Sequence, residues 1–422
     1  MFFLNLGYKW SFQSLEGLEA AILLPSSNSI EKFADKRPDV RNLLFDPQLY
    51  LSTLNCADAG TVCSRLVCYP WFGAEDVPTY DGEETRRDWE RSVRESISEN
   101  WRGKAPRVRD AERLATTAIQ FQQGLTCSHI ILPSPLLTER EGEGAVQAQW
   151  LDAGLSAAES CEVDEPILAT VAIADIALND AAFEAYGILD TVVDQITSRE
   201  GIDGVYIVVV QSGKPHPLRS PLSVHKAYAW LTRAFADAGY EHIITNFADV
   251  FGIACLGLGA TGFATGQSHA LRRMSLVGFD DDSFGRALPY LYSHRMVAEL
   301  ASETDLNLMR DAKLLRRVQD ITPASERLFA VLRGGGSASS VLAWVESVNN
   351  IKAANTHFLT RVLQSDKELS QLPVSSRLSA IEDWLEDATA TGLFVQERLG
   401  RPLSDLKGAV APSSAWLGLL EA

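Results

Sequence analysis

The chain contains a series of short apolar runs, each ending in a polar or Gly/Pro cluster and followed by a longer amphipathic stretch. The clearest run is residues 204–210, which is continuously apolar and rich in β-branched side chains, and residues 167–174 form another that is apolar except for Thr170. Continuous rather than alternating runs are typical of strands covered on both faces, as in a parallel sheet wrapped by helices. Segments 182–199 and 223–238 have apolar residues at helical spacing. The other runs are residues 20–25, 42–46, 127–133, 242–246 and 259–266.

This repeat predicts an α/β fold, a (β/α)8 TIM-like barrel, over residues 1–300. Seven or eight evenly distributed units suit a closed barrel better than an open doubly wound sheet, because no Gly-x-Gly-x-x-Gly motif opens the first helix. Either residues 288–292 or residues 2–6 supply the eighth strand, and the pattern does not choose between them. The open sheet stays as the alternative.

Two segments interrupt or follow the repeat. An Arg/Trp-rich insertion of about residues 51–123 comes after the second predicted strand, and within it residues 86–113 carry a local excess of basic side chains. Beyond residue 300 the strands stop and helical periodicity continues, which predicts a C-terminal helical extension over residues 301–422. We expect these helices to pack on the barrel, on a partner or on a second copy of the chain.

Composition excludes several classes of protein. With 46% hydrophobic residues in a chain of 422, a large core can form and disorder is excluded. No apolar run approaches the roughly 20 residues of a membrane-spanning helix. The six cysteines form no Cys-x-x-Cys pair and have no histidines at zinc-finger spacing, which predicts reduced thiols. We therefore expect a cytoplasmic protein with no membrane partner and no cofactor.

In a barrel of this kind, catalytic groups gather where the strands end. Asp46 closes a buried run and precedes Pro47, which favours an extended or turn conformation and directs the carboxylate towards the rim. Such a carboxylate can transfer protons, act as a nucleophile or stabilise a cationic sugar, or it can simply cap the next turn. Asp175 and Asp249 follow two later runs as further catalytic candidates, with helix-terminal roles as the alternative.

Other strand ends carry groups suited to binding a substrate. Gln211 offers a donor and an acceptor together, which suits the edge of a heterocyclic base. The Gly-rich run 259–266 precedes Arg272 and Arg273, a combination that can grip a phosphate, although tight packing alone would also select the glycines. No His-x-His or His-Glu-x-x-His pattern supports a metal, so none is expected. The predicted substrate contacts are Asn28, Gln48, Gln211, Gln267, His269, Arg272, Arg273 and Tyr292.

The Arg/Trp-rich insertion predicts contact with a nucleic acid. Arginines interleaved with aromatic rings can follow a phosphate backbone and stack on bases, whereas Arg/Glu alternation is also typical of a salt-bridged surface helix. The net charge of −17 argues against a polyanionic partner, but it sets only the far field and a local basic strip can still hold phosphates. The predicted contacts are Arg86, Arg87, Arg91, Arg94, Trp101, Arg102, Lys104 and Arg107.

The layout is similar to the tRNA-guanine transglycosylase superfamily, whose barrels act on N-glycosidic bonds in nucleic acids. Residues 43–48 (Leu-Leu-Phe-Asp-Pro-Gln) resemble that family's strand ending in Thr-Asp-Ser-Gly-Gly-Phe-Gln, with Asp46 matching its rim aspartate. Residues 259–273 resemble the later strand that ends in an arginine segment, with Arg272 or Arg273 as the phosphate-side arginine. The family's nucleophilic aspartate would fall near residues 262–265, which contain no carboxylate, and its Cys-x-Cys-x-x-Cys zinc site is missing.

The resemblance therefore implies a DNA glycosylase that excises a modified base, for example in phage DNA as an antiviral defence, and leaves an abasic site. It favours DNA over tRNA and hydrolysis over base exchange. In this hypothesis Asp46 stabilises the cationic sugar, Gln211 and Asp175 hold the flipped base, and Arg272 holds a phosphate. A base-exchanging transglycosylase, a barrel enzyme acting on a small phosphorylated metabolite, and a non-catalytic scaffold stay open as alternatives.

Overall fold

Eight parallel strands form the centre of the molecule in a computed structural model, which describes residues 1–7, 15–27, 38–55, 58–72, 88, 107–140, 142–281, 288–346, 351–400 and 411–421. The strands are β1 (Phe2–Leu6), β2 (Ala20–Leu23), β3 (Asn42–Phe45), β4 (Ile130–Ile131), β5 (Ile167–Ala174), β6 (Gly204–Gln211), β7 (His242–Asn246) and β8 (Gly262–Gly266). Their order in the sheet is β3-β2-β1-β8-β7-β6-β5-β4. The two ends of this path meet where the N–H of Ser128, just before β4, donates to the carbonyl of Leu43 in β3 at 2.8 Å.

Helices flank this sheet and continue beyond it. They are α1 (Gly60–Leu66), α2 (Ala111–Gly124), α3 (Glu143–Ser160), α4 (Ile188–Thr197), α5 (Leu222–Asp237), α6 (Phe251–Gly257) and α7 (His269–Arg272), then α8 (Thr304–Asp311), α9 (Leu315–Val318), α10 (Glu326–Arg333), α11 (Lys352–Ser370), α12 (Val374–Leu399) and α13 (Ala411–Glu421). The predicted TIM-like barrel with C-terminal helices is thus confirmed. None of the described helices is both long and apolar enough to cross a bilayer.

The strands form where the sequence is continuously apolar because both of their faces are covered. All eight residues of β6 are buried, and so are seven of the eight in β5. Valine and isoleucine fit such a pleated, fully packed surface well. The first residue of β6, Gly204, is a glycine because a Cβ at this position would overlap the backbone of His242 in β7. The clearest runs in the sequence are therefore also the best-packed strands.

Strand β1 closes the barrel. It pairs in parallel with β2 on one side and with β8 on the other, and the ring centroids of Phe2 and Phe263 lie 5.5 Å apart. The other candidate for this place lies outside the barrel, in an antiparallel hairpin of β10 (Tyr290–Ser293) and β11 (Ala298–Ala301). One correction follows. The Arg/Trp-rich insertion comes after the third strand rather than the second, because Phe2–Leu6 is the first.

The C-terminal region packs in two ways. The hairpin and helices α8 to α10 surround a small apolar cluster of their own, which includes Leu300, Phe329 and Trp344. Helices α11 to α13 place side chains such as Phe358 and Trp416 in the main core, while Ala354 of α11 and Val395 of α12 reach the smaller cluster. A short strand, β9 (Met274–Ser275), joins the barrel by pairing with the end of β6. Short 3-10 helices lie at Pro25–Ser27, Leu49–Leu51, Pro70–Phe72, Val108–Asp110, Asp175–Ala177, Asp180–Phe183, Pro217–Arg219, Leu276–Phe279, Ala338–Ser340 and Leu342–Trp344.

Candidate functional site

Asp46 lies sealed inside the barrel. The residue is 1% exposed, and its Oδ2 accepts hydrogen bonds from the hydroxyls of Tyr50 at 2.6 Å and Tyr206 at 2.9 Å, while its Oδ1 accepts one from the N–H of Gln48 at 2.9 Å. Burial raises the pKa of Asp46 to about 6, although these three hydrogen bonds oppose the rise. We expected this carboxylate to face the rim. That expectation is wrong, because donors from two parts of the chain enclose it.

A chain of buried polar side chains continues from Asp46 across the barrel. The side-chain amide of Asn246 in β7 donates to the Tyr206 hydroxyl, and Asn5 in β1 donates to Asn246 Oδ1 at 2.7 Å. The Tyr228 hydroxyl donates to the Asn246 carbonyl at 2.7 Å. Because buried polar groups are costly unless paired, this network specifies how the strands meet. We therefore assign Asp46 to the barrel interior.

Gln48 belongs to the same buried region. It is 1% exposed, has a left-handed backbone with φ of 52°, and accepts a hydrogen bond from the N–H of Ser26 at 2.8 Å through Oε1. It thereby joins the loops that follow β2 and β3. The substrate contact predicted for Gln48 is not open to solvent in this conformation.

A second polar cluster lies where the loops after β6 and β8 meet the C-terminal hairpin. His216 follows β6, His269 begins α7 after β8, and Glu299 lies on β11. The Nε2 atoms of both histidines are 2.8 Å from Glu299 Oε2. Arg272 donates to the other carboxylate oxygen of Glu299. We call these four residues the His/Glu cluster.

The His/Glu cluster keeps Glu299 ionised. Burial alone would raise the pKa of Glu299, but the Arg272 and His269 charges and the hydrogen bonds from His216 and His269 outweigh it and hold the pKa well below its usual range. Arg272 is itself 3% exposed, with its guanidinium carbon 3.3 Å from the centroid of the Phe358 ring. The arginine predicted to grip a phosphate is therefore already engaged by Glu299 and Phe358.

Asp249 lies three residues beyond β7, beside this cluster. It is 4% exposed, and its Oδ1 accepts a hydrogen bond from the Thr265 hydroxyl at 3.3 Å, whereas Oδ2 has no partner among the described residues. Burial raises the pKa of Asp249, the positive charge of Arg272 lowers it, and the negative charge of Glu299 raises it, so the Asp249 carboxylate interacts electrostatically with the His/Glu cluster. Asp249 and Phe247 both have left-handed backbones, with φ of 49° and 59°. Such conformations are uncommon outside glycine and often occur at functional sites.

Further buried polar atoms at this end of the barrel lack partners among the described residues. They are Gln211 Oε1 at the last position of β6, Arg273 Nε, and His216 Nδ1. Gln211 is 1% exposed and Arg273 5% exposed. Burial lowers the pKa of Arg273, and the negative charge of Asp249 raises it. Arg273 directly precedes β9, in which Ser275 pairs with Gln211 of β6. Because buried polar atoms are nearly always paired in native proteins, this concentration indicates groups that meet a ligand or water.

The Gly-rich run is a strand rather than an anion-binding turn. Residues Gly262–Gly266 form β8, and a Cβ at Gly266 would overlap the side chain of Leu271. Gly259 has φ of +107° and lies against Ala236. Close packing therefore accounts for these glycines, which was the alternative to anion binding.

The other predicted residues occupy varied positions. Asp175 is half-buried and accepts hydrogen bonds from the N–H of Ser212 at 2.9 Å and its hydroxyl at 3.2 Å, which joins the ends of β5 and β6. Gln267 is half-buried just after β8, and Arg107 is exposed. Tyr292, a predicted substrate contact, is fully buried in the main core with its ring against Phe358, so it is not open to solvent in this conformation. The predicted contacts Asn28, Arg86, Arg87, Arg91, Arg94, Trp101, Arg102 and Lys104 lie outside the described residues.

The structure thus brings Gln211, Asp249, His269, Arg272 and Arg273 to one mouth of the barrel. Sequence reasoning missed two further members, His216 and Glu299. The signal for His216 was its position between two prolines just after the clearest strand, whereas nothing local marks Glu299. One ligand atom each from His216, His269 and Glu299 lies within 4.8 Å of the others, so these residues could hold a metal ion.

Comparisons with known proteins give little guidance. No family model matches the chain, and no curated protein matches it. Among solved structures, the carboxyl transferase domain of pyruvate carboxylase from Rhizobium etli aligns with 88% of this chain and 75% of that chain, at 12% sequence identity and a TM-score of 0.22. A likeness at that level carries no argument about fold or function.

Proposed function

We propose that the chain is an enzyme that works at the mouth formed by the ends of β6, β7 and β8, where Asp249 acts in the hydrolysis of an N-glycosidic bond. One observation carries the proposal. Asp249 Oδ2, Gln211 Oε1 and Arg273 Nε are buried polar atoms without partners among the described residues, and all three lie at this end of the barrel. A carboxylate, an amide and a guanidinium suit a cationic sugar, a base edge and a phosphate respectively.

The chemistry needs one carboxylate and one water molecule. As the C–N bond breaks, its electron pair leaves with the base and positive charge develops on the sugar, which the Asp249 carboxylate stabilises. A water molecule then adds to the sugar carbon and gives up a proton, for which Asp249 Oδ2 is the available acceptor. Transfer of this proton to the departed base gives the neutral free base and an abasic sugar, and it restores the Asp249 carboxylate. Asp249 takes the role that the sequence suggested first for Asp46.

Gln211 and Arg273 would select the substrate. The Gln211 amide can pair with the donor and acceptor edge of an extruded base, and Arg273 can bind the phosphate beside it. The transglycosylase-like features of the sequence favour a modified base in DNA as the target. The second candidate is a small phosphorylated nucleoside or sugar, which the net charge of −17 favours because that charge repels a long polyanion.

The proposal is tested by incubating the protein with single- and double-stranded DNA, plain and with modified bases, and then treating the DNA with alkali to break strands at abasic sites. We expect breaks in modified DNA, and a rate at least about 100-fold lower with Asp249→Asn, the size of a general acid-base contribution. Asp311→Asn is the matched control, because Asp311 is an exposed aspartate of the C-terminal region.

The results of this experiment distinguish a DNA glycosylase from an enzyme that acts on a small phosphorylated substrate. Full activity in Asp249→Asn would show that another group is the reactive one. Release of free base from phosphorylated nucleosides, with intact DNA strands, would favour the small-substrate enzyme. Absence of hydrolysis with every substrate would remove the proposal.

A further inference from the structure

We propose that His216, His269 and Glu299 form a binding site for a divalent transition-metal ion of the zinc class. The inference rests on the proposed function only for what the ion would do there, since metal binding itself can be measured without a substrate. The three ligand atoms come from the loop after β6, the start of α7 after β8, and the hairpin strand β11. These segments are far apart in the sequence and become neighbours only in the folded chain.

The distances between the three side chains are close to those that such a site requires. Both histidine Nε2 atoms lie 2.8 Å from the same oxygen, Glu299 Oε2, and the three residues' ligand atoms fall within 4.8 Å of one another. In a tetrahedral zinc site with bonds of about 2.0–2.1 Å, ligand atoms lie roughly 3.3 Å apart. Small rotations of the two imidazoles would therefore admit the ion.

Neighbouring side chains fix the orientation of the Glu299 carboxylate. Arg272 occupies Glu299 Oε1 and leaves Oε2 to the histidines, and both Arg272 and Glu299 are 3% exposed. Groups that support a metal ligand in this way orient it and tune its affinity. Since Arg272 is in turn held against Phe358 and the Gly266 carbonyl, Glu299 has little freedom to turn away.

The proposed metal site is accessible from solvent, and a carboxylate that can accept a proton lies beside it. The side chains of His216 and His269 are 19% and 36% exposed, so an ion or a substrate group can reach them from solvent. Beside the cluster lies Asp249, which is 4% exposed and whose Oδ2 has no hydrogen-bond partner among the described residues. A site with three protein ligands, two histidines and a glutamate, and an accessible fourth position is typical of catalytic rather than structural zinc.

The donor set narrows the choice of ion. Two imidazoles and one carboxylate suit zinc or ferrous iron, whereas magnesium and calcium prefer oxygen ligands alone. A zinc ion here would lower the pKa of a bound water, and Asp249 would be positioned to accept its proton. The ion would thus supply the water that the proposed hydrolysis requires.

The test measures metal directly. Purified protein is stripped with a chelator, dialysed against zinc, and its metal content and affinity are determined by elemental analysis and competition with a chromophoric chelator. We expect about one ion per chain, and an affinity reduced by about 100-fold or more in His269→Gln and His216→Gln, because even groups that only support a ligand contribute about 10- to 100-fold.

His129→Gln is the matched control. His129 and His242 also approach each other, with His129 Nε2 3.3 Å from His242 Nδ1, but they belong to no cluster of three metal ligands among the described residues. This variant should bind zinc like the parent chain. Circular dichroism of each variant, together with its unfolding midpoint, confirms that loss of binding is not loss of fold.

The possible results distinguish this inference from the proposed function. Failure of the stripped protein to bind zinc, or equal binding by the His269→Gln variant, would overturn the metal site even if DNA is cleaved. Binding that depends on both histidines supports the site even if every glycosidic substrate is left intact. Binding of zinc with equal loss in His129→Gln would show that the ion is held elsewhere, and would also overturn it.

Discussion

Tyr206 donates its hydroxyl hydrogen to Asp46 at 2.9 Å, so β6 and the segment after β3 share a hydrogen bond across the interior of the barrel. Asn246 donates to the same hydroxyl, which extends the connection to β7. Leaving one member of such a buried network without a partner costs about 1–3 kcal/mol. The ionisation of Asp46 is therefore coupled to the stability of the barrel.

We expect the stability of the protein to depend on pH through Asp46. Its pKa is about 6 in the folded protein against an ordinary value of 3.8. A carboxyl whose pKa is raised on folding stabilises the fold at low pH, and this contribution is lost as the pH rises through about 6. At 1.36 kcal/mol per pKa unit the full contribution is about 3 kcal/mol, of which about 2.4 kcal/mol is lost between pH 4 and pH 7, because the unfolded carboxyl is already mostly ionised at pH 4.

Urea unfolding of the parent chain and of Asp46→Asn at several pH values measures this effect. The free energy of unfolding of the parent minus that of the variant should fall by about 2.4 kcal/mol from pH 4 to pH 7. The corresponding difference for Asp164→Asn, an exposed position, should stay nearly constant. A constant difference for Asp46→Asn would show that this carboxyl does not titrate in that range.

Replacing Gly266 by alanine should destabilise the barrel where β8 meets α7. The new Cβ would overlap Leu271 and lie 3.0 Å from its carbonyl oxygen, so the helix that carries His269 must shift. Overpacking of this kind costs about 1–3 kcal/mol. Gly124→Ala is the control, because no atom lies within 4 Å of its Cβ and alanine favours the helix. Thermal unfolding should separate the two variants, and equal melting temperatures would contradict the packing argument.

The buried pair of Arg272 and Glu299 should show strong coupling. Replacing Glu299 alone by glutamine leaves the Arg272 charge buried without its partner, which costs about 3–5 kcal/mol. Because the double variant Arg272→Met/Glu299→Gln removes both charges, it should be less destabilised than the sum of the two single changes. A double-mutant cycle by chemical denaturation measures the coupling, and additive effects would rule it out.

If the substrate is DNA, binding should weaken steeply as salt increases. Each phosphate neutralised by a basic side chain contributes a slope of about −0.9 in log affinity against log salt. Arg273→Gln should reduce the slope by about one unit and weaken binding similarly for all sequences. Arg199→Gln is the control, since Arg199 is tied to Asp152 at 2.6 Å. A slope that Arg273→Gln leaves unchanged would place this arginine away from any phosphate.

Much of the fold is readable from the sequence because it depends on local pattern. A buried parallel strand is apolar along most of its length, and β5 and β6 follow that pattern, with Thr170 and the terminal Gln211 as their polar residues. The choice of closing strand is different. Residues 2–6 and 288–292 are both short apolar runs, and which of them pairs with β8 depends on contacts far apart in the chain.

The candidate site likewise contains some residues that local sequence pattern predicts and others that it does not. The rule that chemistry follows strand ends points to Asp249 and His269, which lie just after β7 and β8, whereas Glu299 comes from a hairpin outside the repeat and carries no local signal. Asp46 is a residue that the same rule places in the wrong position. The Asp-Pro step predicts a side chain at the rim, but the hydroxyl that draws it inward belongs to Tyr206, far along the chain.

The position of β1 has a consequence for synthesis of the protein. Phe2 finds its neighbour Phe263 only after the whole of β8 has been translated, so the seam beside β1 stays open while most of the chain emerges. Open strand edges and uncovered apolar faces are prone to association. A chain interrupted before residue 262 should therefore engage chaperones or aggregate rather than persist as a stable shorter barrel.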